Sequence, residues 1–161
     1  MGPRAASFVM AVAMAAVACA ALAAHVAAPR THSFLRIDGV LGASNDPGHL
    51  GWFDVAGWGP ARSTPDGGAE ARIRIVGQPP GDLAAAVASH KKLHEALLQD
   101  VEVPGGSLVR NVSFWQFTIA NLQPAGSAYA VTLRATKVVC QEQSDPSQDR
   151  GPCAELNAAR R

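Results

Sequence analysis

Two histidines four residues apart, His90 and His94 in the run HKKLHE, have the spacing at which imidazoles on one helix face share a metal ion. The zinc-protease pattern also needs glutamate directly after the first histidine, and Lys91 stands there instead. Lys91 and Lys92 would repel a cation, so the pair is read as helix-surface histidines and no metal is expected. Asp38, Asp46, His49 and Asp54 fall in one short stretch, and a carboxylate beside an imidazole is acid–base equipment. Alternation puts Asp38 and Asp54 on the polar faces of strands, where charge is simply solvated. No G-x-S-x-G nucleophile turn accompanies them. No Gly-rich loop follows a strand and opens a helix, so nucleotide binding has no support. The expectation is a protein that is not an enzyme and holds no cofactor.

The large rings are Trp52, Trp58, Phe114, Trp115 and Phe117. Alternation places Trp115 and Phe117 on one face, with core packing as their role. Trp52 and Trp58 share the face of Asp54. They are therefore the candidate exposed aromatics, suited to a sugar or a partner surface. Asn111-Val112-Ser113 is a glycosylation acceptor pattern that matters only in a eukaryotic secretory route.

An address precedes these residues. Arg4 is followed by an apolar, Ala-rich run from Ala5 to Ala24, with Ala21-Leu22-Ala23 as an A-x-A cleavage pattern. Residues 1–24 are read as a secretory signal peptide, with a membrane anchor as the alternative. Cys19 stands in a weak lipoprotein-like context. Cleavage would remove Arg4 and leave equal numbers of basic and acidic residues. With 14 Lys and Arg against 13 Asp and Glu in the whole chain, no charge surplus exists to neutralise phosphates, and nucleic acid is not an expected partner. Two cysteines remain after the leader, Cys140 and Cys153. In an oxidising compartment they are expected to form a disulfide.

The elements that position these groups are mostly strands. HSFLRIDGV (His32–Val40) sets Leu35 and Ile37 against Arg36 and Asp38, the period of a half-buried strand. WFDVAGW (Trp52–Trp58) and EARIRIV (Glu70–Val76) repeat the pattern, separated by loops rich in Gly, Pro, Asn and Asp. After Pro79-Pro80-Gly81, Asp82 is placed to cap a helix running to about Gln99, with Leu83, Ala86, Val87, Leu93 and Leu97 on one face. Val112–Ile119 and Tyr129–Val139 are two further strands, joined by the hairpin-like loop NLQPAGSA. Tyr129, Val131, Leu133 and Val139 are assigned to one face of the second. The fold class is mainly β: a small antiparallel barrel or sandwich with one α-helix. The domain spans residues 32–139, and residues 140–161 form a polar tail.

The stretch FLRIDGVLGASNDPGHLGWFDVAGW (Phe34–Trp58) resembles the opening of the Hcp family, the haemolysin-coregulated tube proteins of bacterial type VI secretion. Leu35, Ile37, Gly39, Gly42, Ser44, Asp46, His49, Phe53, Val55 and Trp58 fall at matching positions, and Ala43 stands where the family usually has Glu. The later order also fits: a helix carrying LHEALL, then two long strands, the second like the family's Tyr-x-Ile-x-Leu pattern. The likeness runs from Phe34 to Val139.

The resemblance implies a small β-barrel with one helix, hexameric rings that stack into a tube, and no catalysis. It makes the loop of Ser44, Asp46 and His49 a candidate subunit contact, against local turn hydrogen bonding as the plainer role. The implied partner is a second copy of the chain or another protein. The membrane is involved only through the N-terminal segment, and the implied location is periplasmic or secreted in a bacterium. A stand-alone exported ligand-binding β-domain is the alternative. Tube subunits carry no export leader, and the family continues with further strands where this chain stops. The barrel is therefore expected to be incomplete at its C-terminal side, with an unpaired edge open to another chain.

Overall fold

The computed structural model of the chain describes residues 30–103 and 105–142. Its elements are β1 (Arg30–Ile37), β2 (Phe53–Trp58), β3 (Arg62–Ser63), β4 (Ala69–Val76), α1 (Gly81–Ala88), β5 (Leu93–Val103), β6 (Leu108–Ala125) and β7 (Ala128–Glu142). Every strand pairing is antiparallel, in the order β2-β1-β5-β6-β7-β4-β3. A further pairing of β2 with β4 joins the two sides of that series. Six strands thus form a closed barrel, with β3 as a short addition beside β4.

The barrel and single helix are as expected, whereas the incomplete barrel is not observed. Val55 lies opposite Ile75 and Trp58 opposite Ile73, so β4 is held by β2 on one side and β7 on the other. Closure needs no strand beyond Glu142.

Period-two patterning explains the wall. In β4, Ala69, Ala71, Ile73 and Ile75 are buried, while Arg72, Arg74 and Val76 are exposed. In β1, Leu35 and Ile37 point inward, and Arg36 between them is exposed. The interior is filled by Leu35, Ile37, Phe53, Ile73, Ile75, Leu98, Val112, Phe114, Phe117, Ile119, Val131 and Leu133. Large side chains of this kind each contribute about 1.5–3 kcal/mol on leaving water.

The helix is shorter than its sequence pattern suggests. It starts after Pro80, with Asp82 inside the first turn rather than at the cap, where the carboxylate still meets the positive end of the helix dipole. It ends at Ala88, followed by Ser89 as C-cap and His90 at φ 50°. Leu83 and Ala86 enter the core cluster, and the helix sits against β6. Leu93–Val103, read in part as helix, is strand β5. That segment has helix-forming composition, but β1 pairs along one side of it and β6 along the other. Two flanking strands override the local preference.

Two irregularities break the alternation. Gln116 in β6 has φ 47°, so Phe114 and Phe117 both face the core while Trp115 stays half-buried outside, edge-on to His94 at 5.5 Å. The shared face expected for Trp115 and Phe117 is therefore absent. Across the ladder in β7, Val138 opposite Phe114, not Val139, is the buried residue after Ala135. The β6–β7 hairpin turns at Gly126-Ser127, because Ala125 already pairs with Ala128. The strands therefore consume most of the loop expected there.

Candidate functional site

The residues between β1 and β2 form a loop laid back over the outside of the barrel. Gly42 N–H donates to the Gly51 carbonyl at 2.7 Å, and Ser44 N–H to the Trp52 carbonyl at 2.8 Å. A side chain at Gly42 would run into the Trp52 carbonyl, so only glycine permits this approach. Ser44 is buried, and its Oγ donates to Asp54 Oδ1 at 2.9 Å and accepts from the Asp46 N–H at 3.3 Å. Asp46 Oδ1 accepts from the Gly48 N–H at 3.0 Å and from His49 Nδ1 at 2.7 Å. The bond from His49 is the main reason the Asp46 carboxyl lies below its ordinary range.

His49 pins the loop to the wall. Its ring stacks on Phe34 of β1, with centroids 3.9 Å apart and planes 3° from parallel. This cover explains why Phe34, on the outward face of β1, is buried. His49 Nε2 lies 3.3 Å from Gln99 Oε1 on β5, and Trp52 meets the imidazole edge-on at 4.9 Å. Arg36 lies 5.6 Å from the Trp52 ring and pairs with Glu95 at 3.0 Å. The structure thus brings Ser44, Asp46, His49, Asp54 and Trp52 into one rigid assembly, with the bonds of a built loop. Its tips carry Leu41 and Leu50, which are 80% and 68% exposed. Neither leucine was singled out from the sequence, although an apolar residue within a turn-rich segment is the available signal.

Trp58 lies elsewhere. The β2–β4 register shifts between Val55 and Gly57, and this bulge turns Trp58 from the face of Asp54 toward the interior. Trp58 is half-buried against the core, so it is not the exposed ring that alternation suggests; Trp52 is also half-buried. Trp58 Nε1 donates to Asp100 Oδ1 at 3.1 Å.

Asp100 is the centre of a polar cluster that sequence reasoning missed. It is 3% exposed and also accepts from Ser33 Oγ at 2.6 Å and Arg110 Nη1 at 2.7 Å. Arg110 in turn donates from Nε to Glu142 at 2.9 Å and lies 5.4 Å from the Trp58 ring. Strand register lines these residues up across the barrel: Ser33 opposite Asp100, Asp100 opposite Arg110, and Arg110 opposite Glu142. The cluster fills the inside of one barrel end, while α1 occupies the end where β4 stops and β5 starts. It is a satisfied structural network rather than acid–base machinery.

His90 lies beyond the helix end and His94 is exposed on β5, so they do not share a helix face. Among the described residues no group of three or more His, Cys, Asp and Glu side chains is placed to hold a metal. Asn111 lies within β6, paired on both sides, rather than in a loop. Cys140 is on β7, packed against the core, and Cys153 lies outside the described residues, as do residues 1–24.

No family model and no curated protein matches the sequence. Solved structures do match. Hcp1 from Salmonella typhimurium superposes with a TM-score of 0.61 at 20% identity, covering 71% of this chain and 86% of that one. This is the Hcp fold. A type VI secretion system effector from Yersinia pestis superposes with a TM-score of 0.55 at 16% identity over 68% of this chain and 87% of that one. The secreted protein Hcp3 from Pseudomonas aeruginosa gives 0.50 at 12% identity, over 73% of this chain and all of the other. The chain is thus a divergent Hcp-like barrel. The identities are too low to carry residue roles, and the Hcp comparison bears on architecture alone.

Proposed function

We propose that the protein is an exported Hcp-like protein that acts without catalysis, by associating with copies of itself or with a protein partner. The observation that carries this reading is the loop between β1 and β2. Hydrogen bonds and the His49–Phe34 stack fix it to the barrel, yet it presents Leu41 and Leu50 to solvent. A rigid loop with exposed apolar tips is a binding surface formed in advance, which lowers the ordering cost of association. The Hcp likeness supplies the mode: a closed ring of identical copies, six by resemblance. Removal of residues 1–24 on export and a disulfide joining Cys140 of β7 to Cys153 belong to the same reading. They leave the barrel domain expected over 32–139, which the last residues of β7 extend to Glu142, and a polar tail after it, in the periplasm or outside the cell.

Size-exclusion chromatography with light scattering on the exported protein tests the proposal. A mass of several copies is expected, and a monomer at every concentration, with no protein partner retained, overturns it.

A further inference from the structure

A second surface lies along the outside of β4, beside the end of β2. A cleft of about 550 Å³ there is lined by Gly57, Gly59, Arg62, Glu70, Arg72 and Arg74 among others. Arg72 and Arg74 are outward-facing alternate residues of β4, and Arg62 on β3 lies opposite Glu70 in the ladder. Among the described residues no carboxylate pairs with Arg62, Arg72 or Arg74. The single acidic group in the cleft, Glu70, is already engaged by Arg134 of β7 at 3.0 Å. Three unpaired guanidiniums therefore converge on one short cleft in a chain whose formal charge is only +1.

Two of the residues lining the cleft, Gly57 and Gly59, carry no side chain. Arg74 lies over Gly57, where a Cβ would stand 3.3 Å from Nη2, and a Cβ at Gly59 would meet nothing within 4 Å. The two glycines keep open the space that the arginines surround.

We infer that this cleft binds an extended acidic segment of a partner protein, with carboxylates on alternate residues. The spacing argues for it. Alternate residues of β4 are roughly 6.6 Å apart, and alternate side chains of an extended peptide repeat at the same distance. Two carboxylates separated by one residue thus meet Arg72 and Arg74 in register, each with the fork geometry that guanidinium offers. Arg62 takes a third charge at the side. A phosphate backbone fits less well, because it continues as an anion past the arginines and onto Glu70, whereas a peptide can present an uncharged residue there.

The test is fluorescence anisotropy on the full exported chain with a fluorescein-labelled hexapeptide of alternating Glu and Gly. Alternating Gln and Gly is the uncharged control. The acidic peptide is expected to bind and the control is not. The Arg72→Gln/Arg74→Gln double variant should weaken binding by at least about tenfold, the size of one lost charged hydrogen bond. Gly59→Leu leaves every charge in place but fills the cleft. It should weaken binding comparably while the melting temperature stays that of the parent, which separates a blocked site from a misfolded one. The inference is overturned if the acidic peptide fails to bind, if either variant binds it as the parent does, or if an oligothymidylate of equal charge binds more tightly and displaces it.

Discussion

Arg110 of β6 stands directly opposite Asp100 of β5, and its Nη1 donates to Asp100 Oδ2 at 2.7 Å inside the barrel end. Ser33 and Trp58 complete the carboxylate's partners, and Glu142 takes the other side of the guanidinium. A buried carboxylate with three donors is well satisfied, but each donor is then needed. Arg110→Ala would leave Asp100 charged and almost without solvent. A loss of about 2–4 kcal/mol is expected, toward the lower part of the range for breaking buried pairs because Arg110 keeps 20% exposure. The double variant Asp100→Leu/Arg110→Met should lose less than Arg110→Ala alone, since it removes the orphaned charge. Urea midpoints at constant slope give both values.

Gly42→Ala should loosen the loop. The added methyl collides with the Trp52 carbonyl, and a backbone shift of that kind costs about 1–3 kcal/mol. The local readout is His49: its ring-current shift from stacking on Phe34 should shrink, while signals from Ile73 and Leu133 stay put.

Acid should release the same loop. Hydrogen bonding to His49 depresses the Asp46 carboxyl below its ordinary 3.8. A carboxyl whose folded pKa is depressed adds stability that is fully present above the unfolded value. That contribution fades as pH falls through the lower folded one. The difference in melting temperature between the parent and Asp46→Asn should therefore be constant near neutrality and diminish below about pH 4.

Leu41→Asp/Leu50→Asp should separate association from folding. Both side chains are largely in solvent, so stability should move by no more than about 0.5 kcal/mol. The mass in light scattering should fall to that of one copy. A variant that keeps its oligomeric mass would move the contact elsewhere on the barrel.

The tail carries its own test. If Cys140 and Cys153 are joined, the exported protein shows no thiol titre until it is reduced, and reduction lowers stability by about 2–4 kcal/mol.

Much of the wall was legible because Leu35, Ile37, Ile73, Ile75, Val131 and Leu133 alternate with polar neighbours, and period two is hard to mistake. The failures have local causes. Leu93–Val103 is rich in helix formers, and its strand state depends on β1 and β6, far away in sequence. The bulge at Ala56 and the left-handed Gln116 each reverse a face, which brought Trp58 and Phe117 inward against simple alternation. Asp100 follows Ala96 and Leu98 at every second position, so its inward direction was readable. Its partners were not, because Ser33 and Trp58 meet it only once the barrel has closed. The loop's hydrogen bonds were partly foreseeable from Ser44 and Asp46. The seating of His49 on Phe34 was not, since a ring on the outward face of a strand gives no sign of what will cover it.

Barrel closure also sets a timetable for the newborn chain. Ala69 finds its β7 neighbour only when Ala135 has been made, and β1 waits for β5 on one of its sides. Until β7 emerges, β4, β2, β1, β5 and β6 can form only an open sheet with two free borders. Such a partial product is prone to stick to others of its kind.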